Sequence, residues 1–268
     1  MRKIILLIFM AMFCSVSMAQ HEKFLVFDFM KVADNQDANY WETETFWEKI
    51  HAERLKSGDI KGWDLWSLKP GGAEQGYQYV TVTIYNSAVS AMDPGQIMEA
   101  AQRAYPLISD TDLDSIIQEG LKSREMSKRM FVTRIATTDD DFKMELGTVM
   151  RMNFMDALPG EYKAYEDTEK EYFLPIHQEN VKNGNLEHWA LARVLMPSGS
   201  KVKTSHLTFD MFKDFKQYFA FYEAEAEMDV DAKTKAKLDE ALKTRDLNWT
   251  YVGTLVKTVK YQAPDKDK

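Results

Sequence analysis

The sequence predicts an α+β fold built from two tandem βαββαβ repeats, and three observations carry that expectation. The first is a stretch that occurs twice. Residues 50–63 read Ile-His-Ala-Glu-Arg-Leu-Lys-Ser-Gly-Asp-Ile-Lys-Gly-Trp, and residues 176–189 read Ile-His-Gln-Glu-Asn-Val-Lys-Asn-Gly-Asn-Leu-Glu-His-Trp. Ile, His, Glu, Lys, Gly and Trp return at the same spacing 126 residues on, which duplication explains far better than chance. The second is that strand and helix signals follow one another in the same order around both copies. The third is the period of the apolar residues, which alternates between two residues and 3.6.

In chain order, residues 24–32 are rich in β-formers and predict a strand. Asp34–Asp37 is a turn that leads into a helix over 38–57, where Tyr40, Phe46, Trp47, Ile50 and Leu55 form a helical stripe. Gly58 ends it, because a glycine past the last turn accepts the left-handed conformation. Strands are expected over 60–69 and 76–86, then a broken helical region over 88–125 and a strand over 129–137. Residues 138–141 are a polar linker that divides the chain into repeats at 20–138 and 139–262. The order then recurs: a strand over 143–155, a helix from Pro159 to Asn183 stopped by Gly184, strands over 186–196 and 202–209, helix over 212–245, and a strand over 248–259. This is the ferredoxin-like unit, an antiparallel sheet with helices on one face only. Each bare face needs a cover, so the halves are expected to pack sheet to sheet and enclose a cavity.

Composition bounds the function classes. The chain has 268 residues, 45% hydrophobic and 28% charged, which is globular material. Arg2 and Lys3, an apolar run over 4–16 and Ser17-Met18-Ala19 read as a secretory signal over 1–19, implying a periplasmic or secreted protein with no membrane attachment after cleavage. Cys14 is the single cysteine, so a mature chain offers no disulfide, thiolate ligand or thiol nucleophile. A net charge of −8 with no basic stripe argues against nucleic acid. Residues 263–268 read as a frayed tail. Nothing in the sequence decides between a monomer and a homo-oligomer.

Tyr40-x3-Glu44…Trp47-x2-Ile50-His51-x-Glu53 and Tyr165-x3-Glu169…Phe173-x2-Ile176-His177-x-Glu179, each followed by Lys-x-Gly and Trp, resemble the dimeric α+β-barrel superfamily. That group includes antibiotic-biosynthesis monooxygenase-like, NIPSNAP-like and stress-responsive barrel domains. The resemblance spans the mature chain and implies a barrel of two ferredoxin-like halves with a central pocket. Members range over cofactor-free oxygenases, isomerases, haem enzymes and proteins of no known activity. It therefore implies no particular reaction.

Candidate site residues come from helix faces and strand parity. His51 and His177 share a face with Trp47 and Phe173, toward the sheet. Either they are buried structural histidines or they reach a pocket as base or ligand contact; the helix position favours the first. Glu53 and Glu179 lie about 200° around the helix from those histidines and are explained by Lys56 and Lys182. Gly58, Gly184, Trp63 and Trp189 complete a repeat motif with a structural role. No metal-ligand spacing occurs, Asp110–Asp114 lacks the glycine and glutamate of a calcium loop, and no phosphate or dinucleotide motif is present, so no metal or cofactor is expected. Parity places Val80, Val82, Ile84, Leu207, Phe209 and Met211 against helices. Tyr77, Tyr79, Thr81, Thr83, Tyr85, Arg151, Asn153, Thr204, His206 and Thr208 would then line the cavity, with Asp28 beside them. Such a lining suits a small, partly apolar or aromatic ligand. An enzyme reading would use His206 as base with Tyr79 and Arg151 stabilising an oxyanion. A third reading makes 88–125 a docking segment in an interaction protein.

Overall fold

A computed structural model describes residues 23–71, 75–93, 95–226 and 231–260. The expected signal over 1–19 and the tail over 263–268 lie outside the described residues. The first half comprises β1 (Phe24–Val32), α1 (Asp37–Ser57), β2 (Gly62–Lys69), β3 (Tyr79–Tyr85), the short helices α2 (Ala88–Met92), α3 (Ile97–Ala104) and α4 (Asp110–Leu121), and β4 (Arg124–Thr137). The second comprises β5 (Val149–Ala157), α5 (Tyr162–Thr168), a π-helical turn (Glu169–Phe173), α6 (Leu174–Lys182), β6 (His188–Met196), β7 (His206–Phe212), α7 (Phe215–Ala226), α8 (Ala232–Leu242) and β8 (Arg245–Lys260). Gly58 and Gly184, at φ +82° and +74°, turn the chain out of the long helix in both halves. The second half's first strand starts at Val149 rather than 143, because a turn at Glu145–Thr148, with Gly147 at φ +92°, folds Phe142 and Met144 onto the barrel core.

All eight strands join one closed antiparallel barrel in the order β1-β3-β2-β8-β5-β7-β6-β4 and back to β1. Each half contributes its strands in the same internal order. The halves face each other across the barrel interior and also join edge to edge, β2 against β8 and β4 against β6. Edge strands carry unpaired N–H and C=O groups, and pairing them leaves the barrel with no open edge.

Closure also inverts the expected strand faces. Phe27, Phe29, Val80, Val82, Met150, Met152, Phe154, Leu207, Phe209 and Met211 point inward and build one buried core. Rings meet across the barrel, with Phe27 and Phe209 at 5.6 Å and Phe29 and Phe154 at 5.9 Å between centroids. The expected ligand chamber between the halves is thus occupied by side chains. The physical reason is that the barrel interior is drier than the helix-covered outside. The most apolar alternating set goes inside, and the hydroxyl-bearing set goes beneath the helices, where polar partners exist.

Candidate functional site

Both halves use the same parts where the long helix crosses the sheet. Glu44 of α1 takes a hydrogen bond from Arg124 Nε at 2.9 Å at the start of β4. Its counterpart Glu169 lies 3.2 Å from Arg245 Nε at the start of β8, without hydrogen-bond alignment. His51 stacks on Trp63 at 4.9 Å and 25°, and His177 on Trp189 at 4.8 Å and 11°. Glu53 and Glu179 face outward onto Lys56 and Lys182.

The halves differ by one residue. Two residues separate Glu44 from Trp47, and three separate Glu169 from Phe173. The extra residue is absorbed by the π-helical turn, in which the Leu174 N–H reaches back five residues to the Glu169 carbonyl. Pro175, next in the chain, lacks an N–H and crowds the carbonyl four residues back, which favours the wider turn. Glu169 and His177 consequently stay on one helix face despite an eight-residue separation.

Three side-chain exchanges accompany the insertion. Arg54 Nη1 donates to His51 Nδ1 at 3.2 Å and Nη2 to the Tyr85 hydroxyl at 3.5 Å. Asn180 stands at the equivalent place, and His177 Nδ1 is buried without a hydrogen-bond partner among the described residues. Val26 and Thr83, paired across β1 and β3, are matched by Arg151 and Asp210 across β5 and β7. A cavity of about 740 Å³ opens between the outer face of the second half's sheet and its helices. Aromatic and apolar walls come from Tyr172, Phe173, Trp189, Phe221 and Leu238, and a polar end from Arg151, Asn153, His177, Thr208 and Asp210.

Charges at that end are paired unevenly. Arg151 Nε donates to Asp210 Oδ2 at 2.9 Å, and its two terminal nitrogens donate to Glu225 at 2.7 and 3.2 Å. Asn153 Nδ2 also donates to Asp210 Oδ2, at 3.2 Å, whereas Asp210 Oδ1 is buried without a hydrogen-bond partner among the described residues. Burial pushes the His177 pKa down, so the ring is neutral at neutral pH. Burial pushes Glu169 up to about 7 against the pull of Arg245.

Of the residues expected to line one chamber, Arg151, Asn153 and Thr208 come together at this cavity. The others lie elsewhere. Tyr77 packs at the barrel mouth on Phe29 and Tyr251, and Tyr79 packs on Tyr40 of α1. Thr81, Thr83 and Tyr85 alternate with the inward Val80 and Val82, on the helix side of β3 in the first half. Asp28 is held outside by a two-bond contact from Arg129. Thr204 is buried just before β7. His206 is fully buried away from the cavity: Ser205 Oγ donates to Nδ1 at 2.9 Å and Nε2 donates to Glu166 Oε1 at 3.0 Å. The missed site residues are Glu169, Asn180, Asp210, Glu225 and Arg245. The change in repeat spacing, from 125 at Tyr40 and Tyr165 to 126 at His51 and His177, was the signal for the insertion.

The His206 cluster gives a pH prediction. Burial opposes the Glu166 charge, but hydrogen bonds from His206 and a two-bond clamp from Arg193 at 2.6 and 2.7 Å overcome it, holding this carboxyl well below the usual range. A depressed carboxyl contributes stability above its unfolded pKa, about 4.3, and loses it as pH falls below that. Glu166→Gln is expected to cost about 1.5–3 kcal/mol at pH 7. Urea unfolding should show that gap shrinking toward pH 3, and an unchanged gap would refute the assignment.

Among the described residues, no three His, Cys, Asp or Glu side chains gather to hold a metal ion, and no helix is long and apolar enough to cross a membrane. No family model and no curated protein sequence matches the chain. Solved structures do match it in fold. A provisionally named monooxygenase from Lactobacillus acidophilus NCFM superposes with a TM-score of 0.52 at 10% identity, covering 90% of this chain and 97% of that one. Another provisionally named monooxygenase, from Fusobacterium nucleatum subsp. nucleatum ATCC 25586, gives 0.50 at 12% identity over 92% and 98% of the two chains. An anthrone oxidase-like protein gives 0.53 at 12% identity over 94% and 97%. At such identities the likeness establishes fold alone, and the fold is the α+β barrel.

Proposed function

We propose that the chain binds a small, partly apolar or aromatic molecule in the cavity outside its barrel, over the second half. One observation carries this reading. His177 and Asp210 line the polar end of one aromatic-walled cavity, and their buried Nδ1 and Oδ1 have no hydrogen-bond partner among the described residues. Unpaired buried polar atoms cost about 1–3 kcal/mol each, and a ligand that bonds to them recovers that cost. A volume of about 740 Å³ suits a small organic molecule. The two halves are read as tandem ferredoxin-like copies, supported by their common strand order and repeated Glu–Arg and His–Trp contacts. Export under the direction of residues 1–19 rests on the sequence alone.

Titration with 2-naphthol, a neutral bicyclic probe, tests the site. One-to-one binding is expected, weakened roughly tenfold or more in Ala224→Trp, which fills the cavity from α7. Absence of saturable binding, or equal binding by the variant, would sink the reading. A second reading, an oxygenase- or isomerase-type enzyme without a cofactor, is favoured by Glu169, whose pKa of about 7 suits proton transfer at the same cavity. The names given to the similar structures accord with it. Turnover that survives Glu169→Gln unchanged would exclude that role.

A further inference from the structure

We propose that the polar end of the cavity receives a cationic nitrogen donor, a guanidinium, amidinium or primary ammonium, carried on an aromatic or partly apolar molecule. The inference rests on the cavity being a ligand site and names what it recognises. The guide is internal. In the first half the corresponding place is filled by the chain's own Arg54, whose guanidinium donates to Nδ1 of the Trp63-stacked His51. Arginine has donors only, so Nδ1 is an acceptor there. In the second half the histidine is likewise stacked on tryptophan, Trp189, but Asn180 replaces Arg54 and no group among the described residues hydrogen-bonds Nδ1. The position vacated by the guanidinium thus belongs to the ligand.

Further features fit a cation and not an anion. Asp210 takes the place of Thr83 beside the stacked pair, since each lies directly across from its tryptophan on the neighbouring strand. Asp210 lines the cavity, and its Oδ1 is buried without a hydrogen-bond partner among the described residues. Arg151, the obvious anion receptor, is already committed to Asp210 and Glu225. Among the described residues the lining holds the carboxyl groups of Glu169, Asp210 and Glu225 and the guanidiniums of Arg151 and Arg245, so even with Glu169 titrating near 7 it offers no net positive charge to an anion. The rings of Trp189, Phe173 and Phe221 line the cavity and suit the apolar body of the ligand, while one face of each already carries His177, Arg245 or Arg151.

The test is calorimetric titration of the full chain with benzamidine, benzoate and 2-naphthol. Benzamidine is expected to bind one-to-one, roughly tenfold or more tightly than benzoate. Asn180→Arg, which restores the first half's side chain, should abolish benzamidine binding with no fall in thermal midpoint. Asp210→Asn should weaken benzamidine roughly tenfold and 2-naphthol much less. Because Asp210→Asn also loosens Arg151, Asn180→Arg is the deciding variant if the former fails to fold. Binding of 2-naphthol with none of benzamidine, or with benzoate its equal, overturns the cation proposal and leaves the cavity a ligand site. Undiminished benzamidine binding by Asn180→Arg overturns it too. If no probe binds, the ligand-site reading itself falls and the proposal with it.

Discussion

Phe27→Ala is expected to destabilise the protein by about 3–5 kcal/mol, the range for emptying a large ring from a core that cannot collapse. Phe27 is 2% exposed and lies against Phe209 from the far side of the barrel. Closed strands cannot move inward without breaking pairing around the whole ring, so most of the void should persist. Thr81→Ala supplies the contrast, because this residue sits outside, beneath the first half's helix layer, and its loss should cost under about 1.5 kcal/mol. Urea denaturation of both variants decides the matter. If the two costs were reversed, Thr81 would face the inside and the orientation of β3 would be wrong.

A second large loss is expected from Glu44→Ala. The Glu44 side chain is 2% exposed and Arg124 11%, so removing the carboxylate strands a desolvated guanidinium, at about 3–5 kcal/mol. Burial already pushes the Glu44 pKa up despite the arginine beside it, a sign that desolvation weighs heavily here. The pair as a whole should therefore contribute little net stability. The double variant Glu44→Leu, Arg124→Met is expected to regain most of the loss. A double variant as unstable as the single one would show that the ion pair contributes directly, and that the stranded charge is not what Glu44→Ala costs.

Much of this architecture is legible in the residues. The doubled motif, the succession of strands and helices and the glycines after the long helices all come from local signals: period, turn chemistry and spacing. Closure does not. Whether Val80 and Val82 or Thr81 and Thr83 face the core depends on what lies on each side of the sheet, and alternation alone carries no sign. For that reason the expected chamber is filled by side chains, and His206, expected to line it, is buried under the helices of the second half. Arg151, Asn153 and Thr208 were still grouped correctly as one face, because parity along and across strands survives inversion. His177 lies on the helix that covers the outer sheet face, where its ring stacks on Trp189, and the cavity opens on that same side. A shift of one in the repeat spacing was the available clue, and a π-helical turn is its physical form.

Edge-to-edge joining within one polypeptide has a bearing on how such a molecule can change. Where two identical subunits complete a ring, every substitution is made twice, and a flank cannot be hollowed without hollowing its mirror image. Here one flank keeps Arg54 as a permanent plug while the other gives up the matching side chain. Covalent linkage releases the molecule from symmetry. One wing is left to hold the staves together, and the other is free to specialise.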